Sequence, residues 1–165
     1  MGLRKPRPFF ADVTTADLKE IRGLGFDAVW AMGIHPIGVR NRWGSAGGSP
    51  YSISDYTAIN PELGTMKDYR AFVKKAHAAG LKVIADFVPN HSSMDAKLLA
   101  EHPEYYIQTQ VNGDPEKPPK GYFTYTLLPN PPLMNAGREP KKLWVHHGGY
   151  SGDGGVDTWA DTAQL

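Results

Sequence analysis

The chain has 165 residues, 18 basic and 17 acidic side chains, a formal charge of +1, and no cysteine. A balance this even, with no basic stripe or long charge run, gives no support for nucleic acid or an anionic membrane as partner. The missing thiols exclude disulfides and thiolate zinc sites.

No apolar run approaches the roughly 20 residues of a membrane span. The basic start, Met1 to Pro8, is followed only by Phe9-Phe10-Ala11 and then an acid, unlike a secretory signal. A soluble, cytoplasmic chain is expected. The 18 glycines and 14 prolines exceed the average combined share of about 12% and mark where regular structure stops.

In chain order, Phe9 to Val13 offers at most a short first strand. Thr14 to Leu24 reads as a helix, with Thr14 as cap, Asp17 at the third helical position, and Gly23 and Gly25 as stops. Phe26 to Met32 suits a buried strand. Residues 33 to 64 are rich in Gly and Pro and read as a long loop, with brief extended pieces between Tyr51 and Ile59. Thr65 caps a second helix, with Asp68 three positions on. Met66, Tyr69, Phe72, Val73 and Ala76 trace its apolar stripe, while Lys67, Arg70, Lys74 and Lys75 face away. Gly80 falls where a left-handed residue ends such a helix. Leu81 to Val88 follows as a strand dense enough in apolar residues to be buried on both faces. Helix, strand, helix, strand is an α/β pattern with parallel strands. Beyond Pro89 only Met94 to Glu101 reads as a short helix. Residues 94 to 165 read as a loop-rich excursion over the strand ends, within a single domain spanning 1–165.

Chemistry concentrates in Asp86-Phe87-Val88-Pro89-Asn90-His91. An acid sits at the end of an apolar strand, and an amide and an imidazole emerge in the loop after it. Parallel α/β folds bind ligands at the carboxyl ends of strands. A carboxylate there is costly unless it has a partner.

Lys82 to Ser93 resembles the first conserved region of glycoside hydrolase family 13, the α-amylase family. Leu24 to Trp30, Gly48 to Tyr56, and Asn60 to Thr65 with its following helix resemble that family's neighbouring segments, in the same order. Trp159 to Leu165 is similar to the end of its excursion after the third strand. The resemblance implies an α/β fold that is a partial TIM barrel: βα units around strands two and three over residues 1–93, then the loop-rich excursion over 94–165. A complete barrel needs about 250 residues.

The resemblance also implies roles. Tyr51 stacks on a sugar, His91 hydrogen-bonds a sugar hydroxyl, and Asp86 organises the pocket by pairing with an arginine from the next strand. Asn90 steadies the loop and, with Asp161, is a candidate calcium ligand. The partner implied is a maltooligosaccharide or another α-glucan. Retaining glycosidases need two carboxyl groups about 5–5.5 Å apart. The family carries them on strands four and five, and no Gly-Phe-Arg-x-Asp segment occurs here. Activity would therefore need complementation within a homo-oligomer or substitute carboxylates. The alternative is a non-catalytic carbohydrate-binding or structural assembly fragment.

Other residues carry blander expectations. His146 and His147 read as a solvated loop in preference to a metal site. Late acids, Asp161 among them, read as surface groups unless Asp161 serves calcium. Trp144, Tyr150 and Trp159 read as packing, with a glycan groove as the competing reading.

Overall fold

The computed structural model describes residues 8–42, 47–127, 140–149 and 159–165. The chain forms two compact units: Met1–Pro36 with Tyr56–Phe87, and Ile37–Asp55 with Val88–Leu165.

The first unit is built from α1 (Phe9–Asp12), α2 (Thr15–Gly23), β1 (Ala28–Ala31), α3 (Met66–Ala78) and β2 (Lys82–Ala85). Both longer helices start on a reciprocal capping box. In α2, Asp17 N donates to Thr14 Oγ1 at 3.2 Å and Thr14 N donates to Asp17 Oδ2 at 2.8 Å. In α3, Asp68 N donates to Thr65 Oγ1 at 3.2 Å and Thr65 N to Asp68 Oδ2 at 2.9 Å. Gly80, at φ +82°, turns the chain out of α3 in the left-handed region that other residues avoid. Replacing Thr65 with Ala orphans the Asp68 amide, so Thr65→Ala should cost about 1 kcal/mol in urea unfolding. An unchanged midpoint would show that this cap contributes nothing.

β1 and β2 pair in parallel, Ala28 to Lys82 through Ala31 to Ala85. Alternation of side chains across the strands gives them two faces. Val29 and Val83 pack on a helix-side core of Phe10, Leu18, Ile34, Ile59, Phe72, Ala76 and Leu81. Trp30 and Ile84, opposite each other in register, are 61% and 53% exposed.

Three details differ from the sequence reading. The strand expected to be buried on both faces is covered on one only, with Ile84 beside Trp30 left exposed, because among the described residues nothing packs on that face. Phe9–Asp12 is a helical turn, not a strand, because Phe10 turns inward against Tyr69 and Phe72 with ring centroids 5.1 and 5.2 Å away. Lys75 does not simply face away. Its ammonium donates to the carbonyls of Val13 and Phe10, which takes up main-chain acceptors at the end of α1.

The second unit is not a bare loop. It contains β3 (His91–Ser93), α4 (Lys97–Glu101), a 3-10 turn at Pro103–Tyr105, β4 (Gln108–Gln110), β5 (Tyr122–Leu127), β6 (Lys141–His146) and β7 (Thr162–Gln164). β3 pairs antiparallel with β7, and β6 lies between β4 and β5 in an antiparallel sheet. A separate core of Met94, Leu99, Tyr106, Phe123, Leu143, Val145 and Ala163 holds these pieces together. The strands arise because Tyr122-Phe123-Thr124-Tyr125 and Leu143-Trp144-Val145 are strong β-formers, despite the turn residues around them. The buried hydroxyls of Ser92 and Tyr106 meet at 2.8 Å. Burial pushes the Tyr106 phenol up to about 12.

Residues 37–42 and 47–55 dock through backbone contacts: Gly38 N donates to Ser52 O at 2.9 Å and Ser93 N to Ile53 O at 2.8 Å. A side chain at position 38 would meet Ser93 Cβ at 2.4 Å, so only glycine allows this approach. Asp95 then accepts from Val39 N and Arg40 N at 2.8 and 3.1 Å.

Candidate functional site

Asp86 follows β2 in the first unit. Its Oδ1 accepts from the Trp30 indole at 2.8 Å, and its Oδ2 from Gly33 N at 3.1 Å. The carboxylate thus ties the end of β2 to the loop leaving β1. Two neutral donors hold it here; the arginine that the family resemblance assigns to it belongs to a segment not found in this sequence.

The second unit gathers Asn90, His91, Tyr51 and Asp161. His91 opens β3 and is buried. Asn90 Nδ2 lies 3.1 Å from His91 Nδ1. An amide nitrogen can only donate, so Nδ1 accepts and the neutral ring carries its proton on Nε2. Burial holds the His91 imidazole below its ordinary value, against the Asp161 carboxylate and a hydrogen bond to the Tyr51 main chain, which both raise it. The His91 ring also lies 4.9 Å from the Trp159 ring, tilted by 59°. Trp159 is 51% exposed and is fixed by main-chain bonding with Gly148. A Cβ at Gly148 would press on Thr162 Oγ1 at 2.4 Å and on His91 Cβ at 3.2 Å.

Asp161 is buried, not a surface group. Its main-chain carbonyl accepts from Ser52 Oγ at 3.0 Å and from Met94 N at 3.2 Å. Asn90 points its oxygens at Gln164 in β7: Gln164 Nε2 donates to Asn90 O at 2.7 Å and to Asn90 Oδ1 at 3.2 Å.

His146 and His147 do not form a solvated loop: the first is buried and the second half-buried. His146 is buried in β6, with Nδ1 2.5 Å from His147 O and its ring edge-on to Tyr122. His147 Nδ1 lies 3.1 Å from Thr162 O. Burial, the largest influence, holds His147 low; the Thr162 hydrogen bond opposes it, His146 and Arg40 reinforce it, and Asp161 opposes it. Among the described residues no three His, Asp or Glu side chains gather as a metal site. Trp144 is buried packing, whereas Tyr150 lies outside the described residues. Sequence reasoning gave Gln164 no role and leaned toward packing for Trp159. Only the folded pairing of β3 with β7 reveals Gln164, by setting it opposite His91.

The two lowered histidines set a pH dependence. The fold favours their neutral forms, so below the ordinary value of 6.5 the unfolded chain binds more protons. Their contribution is complete above that value and is lost as pH falls through the folded values. The favoured carboxylates Asp17 and Asp68 act only below 3.8, and Glu104 below 4.5. The urea midpoint should therefore fall between about pH 7 and pH 5. A flat midpoint over that window would show that the two rings are not held neutral by the fold.

Residues 13–162 match the profile described as Alpha amylase, catalytic domain. This chain belongs to the α-amylase family. It is 35% identical over 153 residues to the alpha-1,4-glucan:maltose-1-phosphate maltosyltransferase of Arcanobacterium haemolyticum, covering 80% of this chain and 22% of that one. The enzyme of the same name from Rhodospirillum rubrum is 40% identical over 129 residues, covering 68% and 18%. The crystal structure of an alpha-amylase from Lactobacillus plantarum superimposes with a TM-score of 0.56 at 47% identity, covering 64% and 25%. The chain thus spans 22% and 18% of the length of those two curated relatives. Among the described residues, no helix is long and apolar enough to cross a membrane.

Proposed function

We propose that this chain supplies the sugar-contact part of an α-amylase-family catalytic domain that acts on α-1,4-linked glucans by hydrolysis or glycosyl transfer. The observation that carries the reading is the pairing of a buried, neutral His91, held by Asn90 and the Tyr51 main chain, with the half-exposed ring of Trp159. An imidazole N–H beside an indole face can both hydrogen-bond and stack on a sugar ring. Tyr51 adds a second aromatic surface, and Asp86 organises the strand end of the first unit. The names of the relatives, which specify α-1,4-glucan, support the substrate class.

Glycosyl transfer with retention needs a carboxylate nucleophile and a carboxylic acid. In this reading those groups come from further barrel strands, in a longer chain or a second copy. Isothermal titration of the full chain with maltotetraose, alongside product analysis, tests the proposal. Saturable binding with turnover supports it in full. Binding without turnover leaves the carboxylates to a longer chain, and no binding at all removes the proposal.

β1 and β2 take the places of barrel strands two and three in this reading, with Trp30 and Ile84 on the barrel-interior face. A second copy that completes the sheet would cover that exposed face. Light scattering should then report a dimer or larger species. A monodisperse monomer would end the self-complementation idea.

A further inference from the structure

The second unit binds its own loop ends with a side-chain amide at the place where the sequence reading put a cation. Calcium takes six to eight oxygen ligands at about 2.3–2.6 Å. Asn90 has two oxygens to offer, Oδ1 and the main-chain O. Both accept from the same Gln164 Nε2, at 3.2 and 2.7 Å, and Asn90 O also accepts from Leu165 N at 3.1 Å. Positively polarised hydrogens therefore point where a cation would have to sit. Gln164 is buried, and its register opposite His91 in the β3–β7 ladder keeps the amide there. Among the described residues, the oxygens of Asn90 are already taken by these donors and no cluster of His, Asp or Glu gathers there, so the junction does not fit calcium.

The same contacts do something else. Gln164 Nε2 fixes which end of the Asn90 amide is the acceptor, because a donor must face Oδ1. Nδ2 is then turned toward His91 Nδ1 at 3.1 Å. With Nδ1 accepting, the ring proton stays on Nε2. We propose that Gln164 is a positioning residue that acts through Asn90 to lock His91 in the Nε2–H tautomer, replacing a cation at the junction of β3 and β7. The locked ring offers Nε2–H as its donor, shared between the Tyr51 main chain and a sugar hydroxyl. This last step rests on the sugar-contact reading above; the tautomer lock does not.

A single exchange of atoms tests the relay. In Gln164→Glu an acceptor replaces the donor facing Asn90. The Asn90 amide should turn over, its Nδ2 facing the new carboxylate and its Oδ1 facing His91. The ring must then donate from Nδ1, so the tautomer switches. Nitrogen-15 spectra of the imidazole rings, recorded on the full chain above pH 7 without sugar, read this directly. The wild-type chain should show His91 protonated at Nε2, and Gln164→Glu should show it protonated at Nδ1. A wild-type ring protonated at Nδ1 would overturn the proposal even if the variant does not fold. So would a variant that keeps the Nε2–H tautomer. Added calcium should leave the wild-type His91 and Gln164 side-chain resonances unmoved, and a saturable shift of the Gln164 amide would overturn the cation-free junction.

Titration with maltotetraose separates this idea from the function it rests on. Loss of one well-placed donor should weaken binding about tenfold in Gln164→Glu. A switched tautomer with unchanged affinity would overturn the positioning role. Where neither protein binds sugar, the sugar-contact reading falls, and the ring spectra alone decide the lock.

Discussion

Phe10→Ala should lower unfolding stability by about 3–5 kcal/mol, a large share of the roughly 5–15 kcal/mol typical of a domain. Phe10 is 1% exposed, although it lies on a helix of only four residues. Its ring sits against Tyr69 and Phe72 of α3, and its amide donates to Leu63 O at 3.0 Å. Truncation removes the transfer energy of the ring and leaves a void lined by aromatic groups that cannot easily collapse. The neighbouring Phe9 is 55% exposed, so Phe9→Ala should shift the urea midpoint much less, by roughly 0.5 kcal/mol. Equal effects at the two positions would mean that α1 is not docked by Phe10.

This same segment shows where reading the sequence stops. Two apolar residues after a proline carry no period, and nothing in Phe9 to Val13 distinguishes a strand from a helical turn. Packing against α3 decides it. The longer helices were legible because local chemistry sets their ends: Thr14 with Asp17, and Thr65 with Asp68, satisfy amides within four residues. β1 and β2 were legible as strands because their apolar runs are uninterrupted, but burial on both faces was not: Val29 and Val83 pack inward while Trp30 and Ile84 stay exposed.

The excursion was legible only as a region. Its strand β5 interleaves aromatic residues with threonines and β6 carries the apolar run Leu143-Trp144-Val145, but they sit among glycines and prolines that dominate the local composition. Their pairing is long-range, and so is the pairing of β3 with β7 across more than seventy positions. Asn90 and His91 stood out from their motif. Gln164 could not, since its meaning comes from a register that only the fold supplies. Asp161 shows the converse: an acid in a polar stretch looked solvated, yet the chain buries it where its carboxylate acts on both His91 and His147.

His91→Ala should weaken maltotetraose binding by about tenfold, the worth of one well-placed hydrogen bond of about 1.4 kcal/mol. The substitution also removes the acceptor for Asn90 Nδ2 and the ring beside Trp159, so some stability will be lost with it. Trp159→Ala separates the two effects. That ring is half-exposed, the main-chain bond from Trp159 N to Gly148 O survives the change, and removal of the ring should leave the urea midpoint within roughly 0.5 kcal/mol. If the two side chains form one sugar platform, both variants lose affinity, and only His91→Ala loses stability. Affinity that falls in His91→Ala alone, in step with unfolding, would mean that His91 only holds the second unit together. Affinity intact in both would place the sugar elsewhere. The double variant adds a further check: contacts to one bound sugar should couple, so its loss should differ from the sum of the single losses by at least about 0.5 kcal/mol.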